Sequence, residues 1–270
     1  MLLSIVFPLQ TRQPVVLPAD QGRALSAEFL RWVRQHDASL SETLHSSNAI
    51  RPFTVSGLFG GVQRNDQILL LPDHPFWWRL TTFSPELSSF VLDKVIPNLP
   101  ETLALGDQTL ELLPPALKPE QHPWAWQTTH ENLAASVLLE KRPIPSQIEV
   151  QFASPTTFHT QERHFPFPLP AMVFRQWLVK WNAFAPVKLP DEALSFVEEQ
   201  LAVSRYRLET RVVKFGESIF IGFVGRCTFH VLGEDAYWRR VTHLLAHYAF
   251  FCGTGAKTSF GMGQTRNLRR

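Results

Sequence analysis

Leu2-Leu-Ser-Ile-Val-Phe-Pro-Leu9 is a nearly unbroken apolar run, and Gly22 to His36 follows it with Leu25, Phe29, Leu30, Trp32 and Val33 at helical spacing. A continuous apolar run suits a buried strand, whereas recurrence every three or four residues suits a helix with one buried side. Phe53 to Phe59 and Phe76 to Phe83 come next, short and rich in β-branched and aromatic residues, with Gly60-Gly61 and Asn65-Asp66 as turn signals between them. Pro85 to Ile96 returns to helical spacing through Leu87, Phe90, Val91 and Val95, and Pro97 stops it. Thr102 to Leu113 is extended again around Gly106-Asp107. The first half therefore reads β-α-β-β-α-β.

Pro114 to Pro123, rich in proline and charge, reads as a linker or the start of a connecting excursion. Asn132 to Leu139 fits either a short helix or a strand, and Ile148 to Phe158 is a strand with Ile148, Val150 and Phe152 alternating. Pro170 to Phe184 is a helix with Val173, Phe174, Trp177, Leu178 and Trp181 along one side. Two long alternating runs, Ser204 to Phe215 and Ser218 to Leu232, meet at Gly216-Glu217 as a tight hairpin. Asp235 to Phe251 is a long amphipathic helix, and Lys257 to Arg266 is the expected closing strand. The order of the first half recurs without residue-level similarity. That order is the ferredoxin-like one. The fold class read from it is α+β, with tandem ferredoxin-like (RRM-like) domains built on antiparallel sheets. The expected division is residues 1–120, a connecting segment 121–147, and 148–270; a single α+β domain with the same alternation is the plainer reading.

The chain has 270 residues, 44% hydrophobic and 19% charged, which excludes a disordered or fibrous protein. Its apolar stretches, such as Leu244 to Cys252, fall short of the ~20 residues of a membrane span. Met1 to Leu9 lacks the basic start and small-residue cleavage site of a signal peptide. Cys227 and Cys252 show no paired spacing and read as buried reduced thiols, so the expected location is cytoplasmic. The net charge of +2 hides a gradient. Residues 1–150 hold 11 Lys+Arg against 15 Asp+Glu, residues 151–200 hold 4 against 5, and residues 201–270 hold 11 against 4. Arginine outnumbers lysine 19 to 7, and arginine is the better fork for phosphate oxygens. The basic final third is either a polyanion-binding surface or an ordinary solvated face.

Four of the 13 glycines fall in Cys252-Gly-Thr-Gly-Ala-Lys-Thr-Ser-Phe-Gly-Met-Gly-Gln264. Glycine permits positive φ and close backbone approach, and successive free N–H groups form anion-binding nests. Ala256 before Lys257 breaks the phosphate-loop pattern, and the dinucleotide fingerprint fails at Thr258. This stretch resembles the glycine-rich loop of the CRISPR-associated endoribonucleases that process precursor CRISPR RNA, the Cas-six type of the RAMP superfamily. Arg51-Pro-Phe-Thr-Val-Ser-Gly-Leu58 is similar to that family's strand after the first helix. Ala153-Ser-Pro-Thr-Thr-Phe158, leading to Pro168-Leu-Pro-Ala-Met-Val-Phe174, adds a third match. The resemblance implies a cut within each CRISPR repeat that needs no metal or cofactor, and a guide RNA passed to the subunits of an effector complex. It implies no membrane partner and leaves monomer and homodimer open. The alternative is a catalytically inactive RAMP-type subunit that holds the guide RNA.

Metal-free RNA cleavage uses the ribose 2′-OH as nucleophile, so the protein must move protons and stabilise charge on the phosphate. His45 is the candidate acid or base, lying in the polar Ser41 to Asn48 stretch where the family's catalytic histidine sits; His36 is its competitor. Arg51 is assigned charge stabilisation only, because arginine gives up no proton near neutral pH. All three tyrosines lie beyond residue 200, so the catalytic tyrosine that some relatives add from the N-terminal half has no counterpart. The RNA-binding candidates are Gly253, Gly255, Lys257, Thr258, Ser259, Gly261 and Gly263 of the glycine-rich stretch, with Arg266 behind it and Arg269 and Arg270 beyond. Arg205, Arg207 and Arg211 join them because their shared parity puts them on one strand face, and Arg239 and Arg240 because they lie on the last helix. His159, Arg163 and His164 form a basic loop, and Trp77-Trp78 and Trp124-x-Trp126 are either base-stacking or core residues. His243 and His247 have zinc-like spacing without a third ligand, so no metal site is expected.

Overall fold

A computed structural model describes residues 1–46, 50–64, 66–160 and 163–268. Asn48, Asn65, Arg269 and Arg270 of the sequence reading lie outside the described residues. The chain forms two compact units, Met1–Gln127 with Ser259–Met262, and Thr128–Thr258 with Gly263–Arg270.

The first unit opens with β1 (Leu2–Gln10), β2 (Val15–Pro18), α1 (Gly22–His36), α2 (Ala38–Ser46), β3 (Phe53–Val55), β4 (Val62–Arg64) and β5 (Gln67–Leu70). It continues with β6 (Phe76–Thr82), α3 (Pro85–Phe90), β7 (Thr102–Leu105) and β8 (Gln108–Leu112), and β9 (Trp126–Thr128) ends it. The main sheet runs β3-β6-β1-β8-β7, every neighbouring pair antiparallel. Leu3, Ile5, Phe7 and Leu9 of β1 point into one core with Leu25, Phe29, Trp32 and Val33 of α1. Phe7 stacks on Trp78 at 4.5 Å and meets the edge of Trp32 at 5.6 Å. Trp78 is thus core, while the half-buried Trp77 stacks on Phe59 at 4.5 Å.

The other face of β1 explains why its run is apolar nearly throughout. Chain beyond β8 returns along the strand, with Leu113 N–H donating to the Pro8 carbonyl and Val6 and Ala116 exchanging both backbone bonds. Under it lies Arg79, 1% exposed, whose Nε donates to Ser4 Oγ at 2.8 Å and whose guanidinium sits 5.0 Å from the Trp124 ring. Burying an arginine is tolerable only with such partners. β2, β5 and β4 form a separate three-stranded sheet that periodicity over so few residues does not announce.

The second unit comprises α4 (His130–Leu138), β10 (Gln147–Thr156), β11 (Phe158–Thr160), β12 (Arg163–Phe165), α5 (Pro170–Phe184) and α6 (Glu192–Gln200). β13 (Leu201–Phe215), β14 (Ser218–Val231), α7 (Ala236–Cys252) and β15 (Thr265–Asn267) complete it. Its sheet runs β13-β14-β10-β15, all antiparallel, and β11 pairs with β12 apart from it. Ile148, Val150 and Phe152 of β10 are buried with Val173, Phe174, Trp177, Leu178 and Trp181 of α5 and one side of α7 in the core of this unit. The expected closing strand is mostly a glycine-rich turn; only Thr265–Asn267 pairs, with β10. α6 was not expected.

No described helix is long and apolar enough to cross a membrane. Cys227 and Cys252 are free thiols pushed up to about 12 by burial.

Two buried histidines of this unit are held neutral. His130, 1% exposed, lies against Trp181 and Tyr248 and is pulled down to about 4 by burial. Burial also pulls His243 down to about 4, with its Nε2–H donating to the Pro145 carbonyl at 2.8 Å. Both folded values lie below the ordinary ~6.5, so protonation favours the unfolded chain. The contribution is complete above pH ~6.5 and is lost as pH falls toward 4. Thermal unfolding followed by circular dichroism should show the melting temperature dropping across that window, and His130→Phe, which keeps an aromatic ring, should flatten the drop.

Candidate active site and nucleic-acid interface

α1 ends at His36, where the chain breaks and starts a second helix. Asp37 drives the restart, because its carboxylate accepts from the Leu40 N–H at 2.8 Å while its own N–H closes α1 on the Val33 carbonyl. Ser41 Oγ then donates to the Leu30 carbonyl, and Leu44 is buried. His45 of the polar Ser41 to Asn48 stretch therefore sits in the last turn of α2, a helix signalled by Asp37 followed by Leu40 and Leu44. The imidazoles of His45 and His36 are exposed.

Arg51 stands on the approach to β3 and joins this helix end to the glycine-rich segment. Its Nη2 donates to the His45 carbonyl at 2.9 Å and its Nη1 to Ser259 Oγ at 3.2 Å. The guanidinium lies 5.0 Å from the centre of the Phe260 ring. Burial lowers its pKa, and it remains a cation at neutral pH. A guanidinium offers five N–H donors, so these two bonds leave others for an anion. Arg23, exposed at the start of α1, lies 5.8 Å from the same ring. The neighbouring Asp20 carboxyl is pushed up to about 6 by burial, against the opposing pull of the Gly22 N–H and Arg23.

The rest of the glycine-rich segment is packed backbone against backbone. Gly253 caps α7 at φ 64°, and the buried Lys180 donates to the Cys252 carbonyl at 2.7 Å. A Cβ at Gly255 would stand 2.3 Å from the Thr157 carbonyl oxygen, and one at Gly263 2.1 Å from that of Thr254. The N–H groups of Thr254, Ala256, Gly261 and Gly263 all donate to carbonyls of the chain, so they are not the free donors of an anion nest. Gly253, Gly255, Ser259 and Gly263 are buried, Thr258 and Gly261 half-buried. Lys257 alone is exposed, at φ 57°, with its Nζ 5.8 Å from the Phe220 ring.

In the second unit, Arg205, Arg207 and Arg211 are exposed on β13, and a register shift before Arg205 leaves the run beyond it regular. Arg207 pairs across with Arg226, Arg226 with Gln151, and Gln151 with Arg266, whose Nε donates to Gln151 Oε1 at 2.8 Å. Directly paired residues share a face, so three arginines form one row across four strands, on the side away from the buried Val150 and Phe152. Arg226 is the member the sequence reading missed, since only register reveals it. Arg226 lies 3.9 Å from Glu149, and Arg211 is paired with Glu209. Arg239 donates to the Gly233 carbonyl and Arg240 to those of Val137 and Arg142, which ties both to their own backbone. His159 and His164 face each other across the β11–β12 pair, with His164 against Phe220. His243 is bound to Pro145, His247 lies 3.5 Å from Asn267, and no three potential metal ligands cluster among the described residues.

The CRISPR Cas6 N-terminal domain family matches residues 1–135, and the CRISPR-associated endoribonuclease Cas6 family matches residues 150–265. A CRISPR-associated endoribonuclease Cas6 of Streptococcus thermophilus is 28% identical over 138 residues, which span 49% of this chain and 56% of that protein's length. A Cas6 solved as a product complex superposes with a TM-score of 0.81 at 26% identity, covering 99% of this chain and 100% of that one. Thermus thermophilus Cas6 gives 0.75 at 25% identity, covering 99% and 98%. With the first domain matched along half the chain and the second along most of the remainder, the chain belongs to the Cas6 family of CRISPR-associated endoribonucleases.

Proposed function

We propose that this protein is a cytoplasmic, metal-independent endoribonuclease that cuts CRISPR repeat RNA within precursor crRNA and supplies guide crRNA to effector-complex subunits. The ribose 2′-OH attacks the adjacent phosphate, leaving a 2′,3′-cyclic phosphate and a 5′-OH. His45 moves the proton, from an exposed imidazole at the end of α2. Arg51 stabilises the charge that develops on the phosphate, and its anchorage between the His45 carbonyl and Ser259 is the observation that carries this reading. A cation held by fixed partners loses little freedom when the phosphate arrives, which is how preorganised sites lower a barrier.

Both main sheets place the strand that opens the unit beside the partner reached through the second helix, in orders β3-β6-β1-β8 and β13-β14-β10-β15. That supports reading both units as ferredoxin-like. Like charges set directly opposite on a sheet repel, so the Arg207–Arg226 pair is a cost to the free protein that a phosphate backbone would relieve. Arg207, Arg226 and Arg266 are therefore read as the RNA-facing row, with Arg205 and Lys257 as further contacts.

His45→Ala should lower single-turnover cleavage of repeat RNA by ~10²-fold or more while binding survives. The wild-type cut should persist in EDTA with a cyclic-phosphate end. Binding without any cut would favour the inactive RAMP-type subunit, and loss of the cut in EDTA would overturn the metal-free mechanism. Filter binding across a salt series tests the arginine row: Arg207→Ala and Arg226→Ala should each flatten the log-affinity slope by ~0.7 to 0.9, as loss of one phosphate contact does.

A further inference from the structure

We propose that Phe260 is a positioning residue that holds Arg23 beside Arg51 as a two-cation seat for the phosphate being cut. The inference rests on the cleavage reading above and adds a second cation to it. Two guanidinium groups share one aromatic ring, Arg51 at 5.0 Å and Arg23 at 5.8 Å from its centre. Like charges gathered on one ring repel, and the electron-rich face of the ring offsets that repulsion.

The ring is held where it is by backbone packing. The Phe260 carbonyl occupies the volume of a side chain at Gly22, 2.1 Å from where a Cβ would be, and the next N–H, that of Gly261, donates to the Val55 carbonyl at 2.9 Å. Ser56 and Gly261 form a bridge just beyond. The first turn of α1, which carries Arg23, and the approach to β3, which carries Arg51, are thereby locked to the two sides of one residue. Arg51 is fixed further by the His45 carbonyl and Ser259, whereas Arg23 stands exposed beside the Asp20 carboxyl. A phosphate passing to the pentacoordinate state gains negative charge on its free oxygens, and two guanidinium forks match that gain better than one.

The test uses the full-length chain with repeat RNA under single-turnover conditions. Phe260→Leu keeps an apolar side chain but removes the ring, and should slow cleavage by about 10-fold with half-saturation changed by less than about threefold. Phe260→Tyr should restore the rate. Arg23→Gln, an exposed substitution that leaves the packed loop intact, should slow cleavage by about 10-fold in the wild type and add little to Phe260→Leu, because both remove the same seat. An unchanged rate in Arg23→Gln overturns the proposal even if Phe260→Leu fails to fold, and so do losses that multiply independently in the double variant. Absence of cleavage by the wild type would instead refute the cleavage reading.

Discussion

Contact of backbone with backbone, at places where no side chain has room, is the constraint on which the rest depends. In the first unit the Phe260 carbonyl lies against Gly22, and in the second the Thr157 and Thr254 carbonyls lie against Gly255 and Gly263. Each contact is closer than any Cβ permits. Glycine there is a requirement of packing, and the N–H groups it frees are taken up by carbonyls of the chain itself. The glycine-rich segment thus works as a structural seam, and its chemistry is carried by the side chains it holds: Ser259 on Arg51, Phe260 under two guanidinium groups, and Lys257 outward.

Buried polar groups reinforce that seam. Lys180 places its ammonium on the terminal carbonyls of α7, where the helix dipole is negative, and Trp177 Nε1 donates to Thr254 Oγ1 at 2.9 Å. Arg79 plays a comparable part in the first unit, tying the returning chain to β1 through Ser4 and Trp124. Such charges are costly to bury and more costly to leave without partners, which makes each of them a test of whether the surrounding backbone is in register.

Much of the fold was legible in advance. Gly22 to His36 and Pro170 to Phe184 are helices over the residues their periodicity marked, and the hairpin turns at Gly216-Glu217 as expected. α2 and α6 were missed because nine-residue helices carry weak periodicity, and the cap that starts α2 bonds only to its own helix. The sheet of β2, β5 and β4 was missed because its strands are only three or four residues long and β2 lies far in sequence from the other two. The charge gradient was visible, but not its arrangement: Arg239 and Arg240 proved bound to carbonyls, and Arg226, not singled out, completes the row.

Composition and periodicity by themselves determined the α+β class and the alternation of strands and helices, and the resemblance carried by a few short stretches pointed to the family, since these depend on residues close together in the chain. Tertiary structure alone decided which cations meet. Arg51 and Ser259 stand 208 positions apart, and Arg207, Arg226 and Arg266 align only through strand register. Charge interactions act through space over a few ångströms, and only the packed backbone decides which distant residues come within that range.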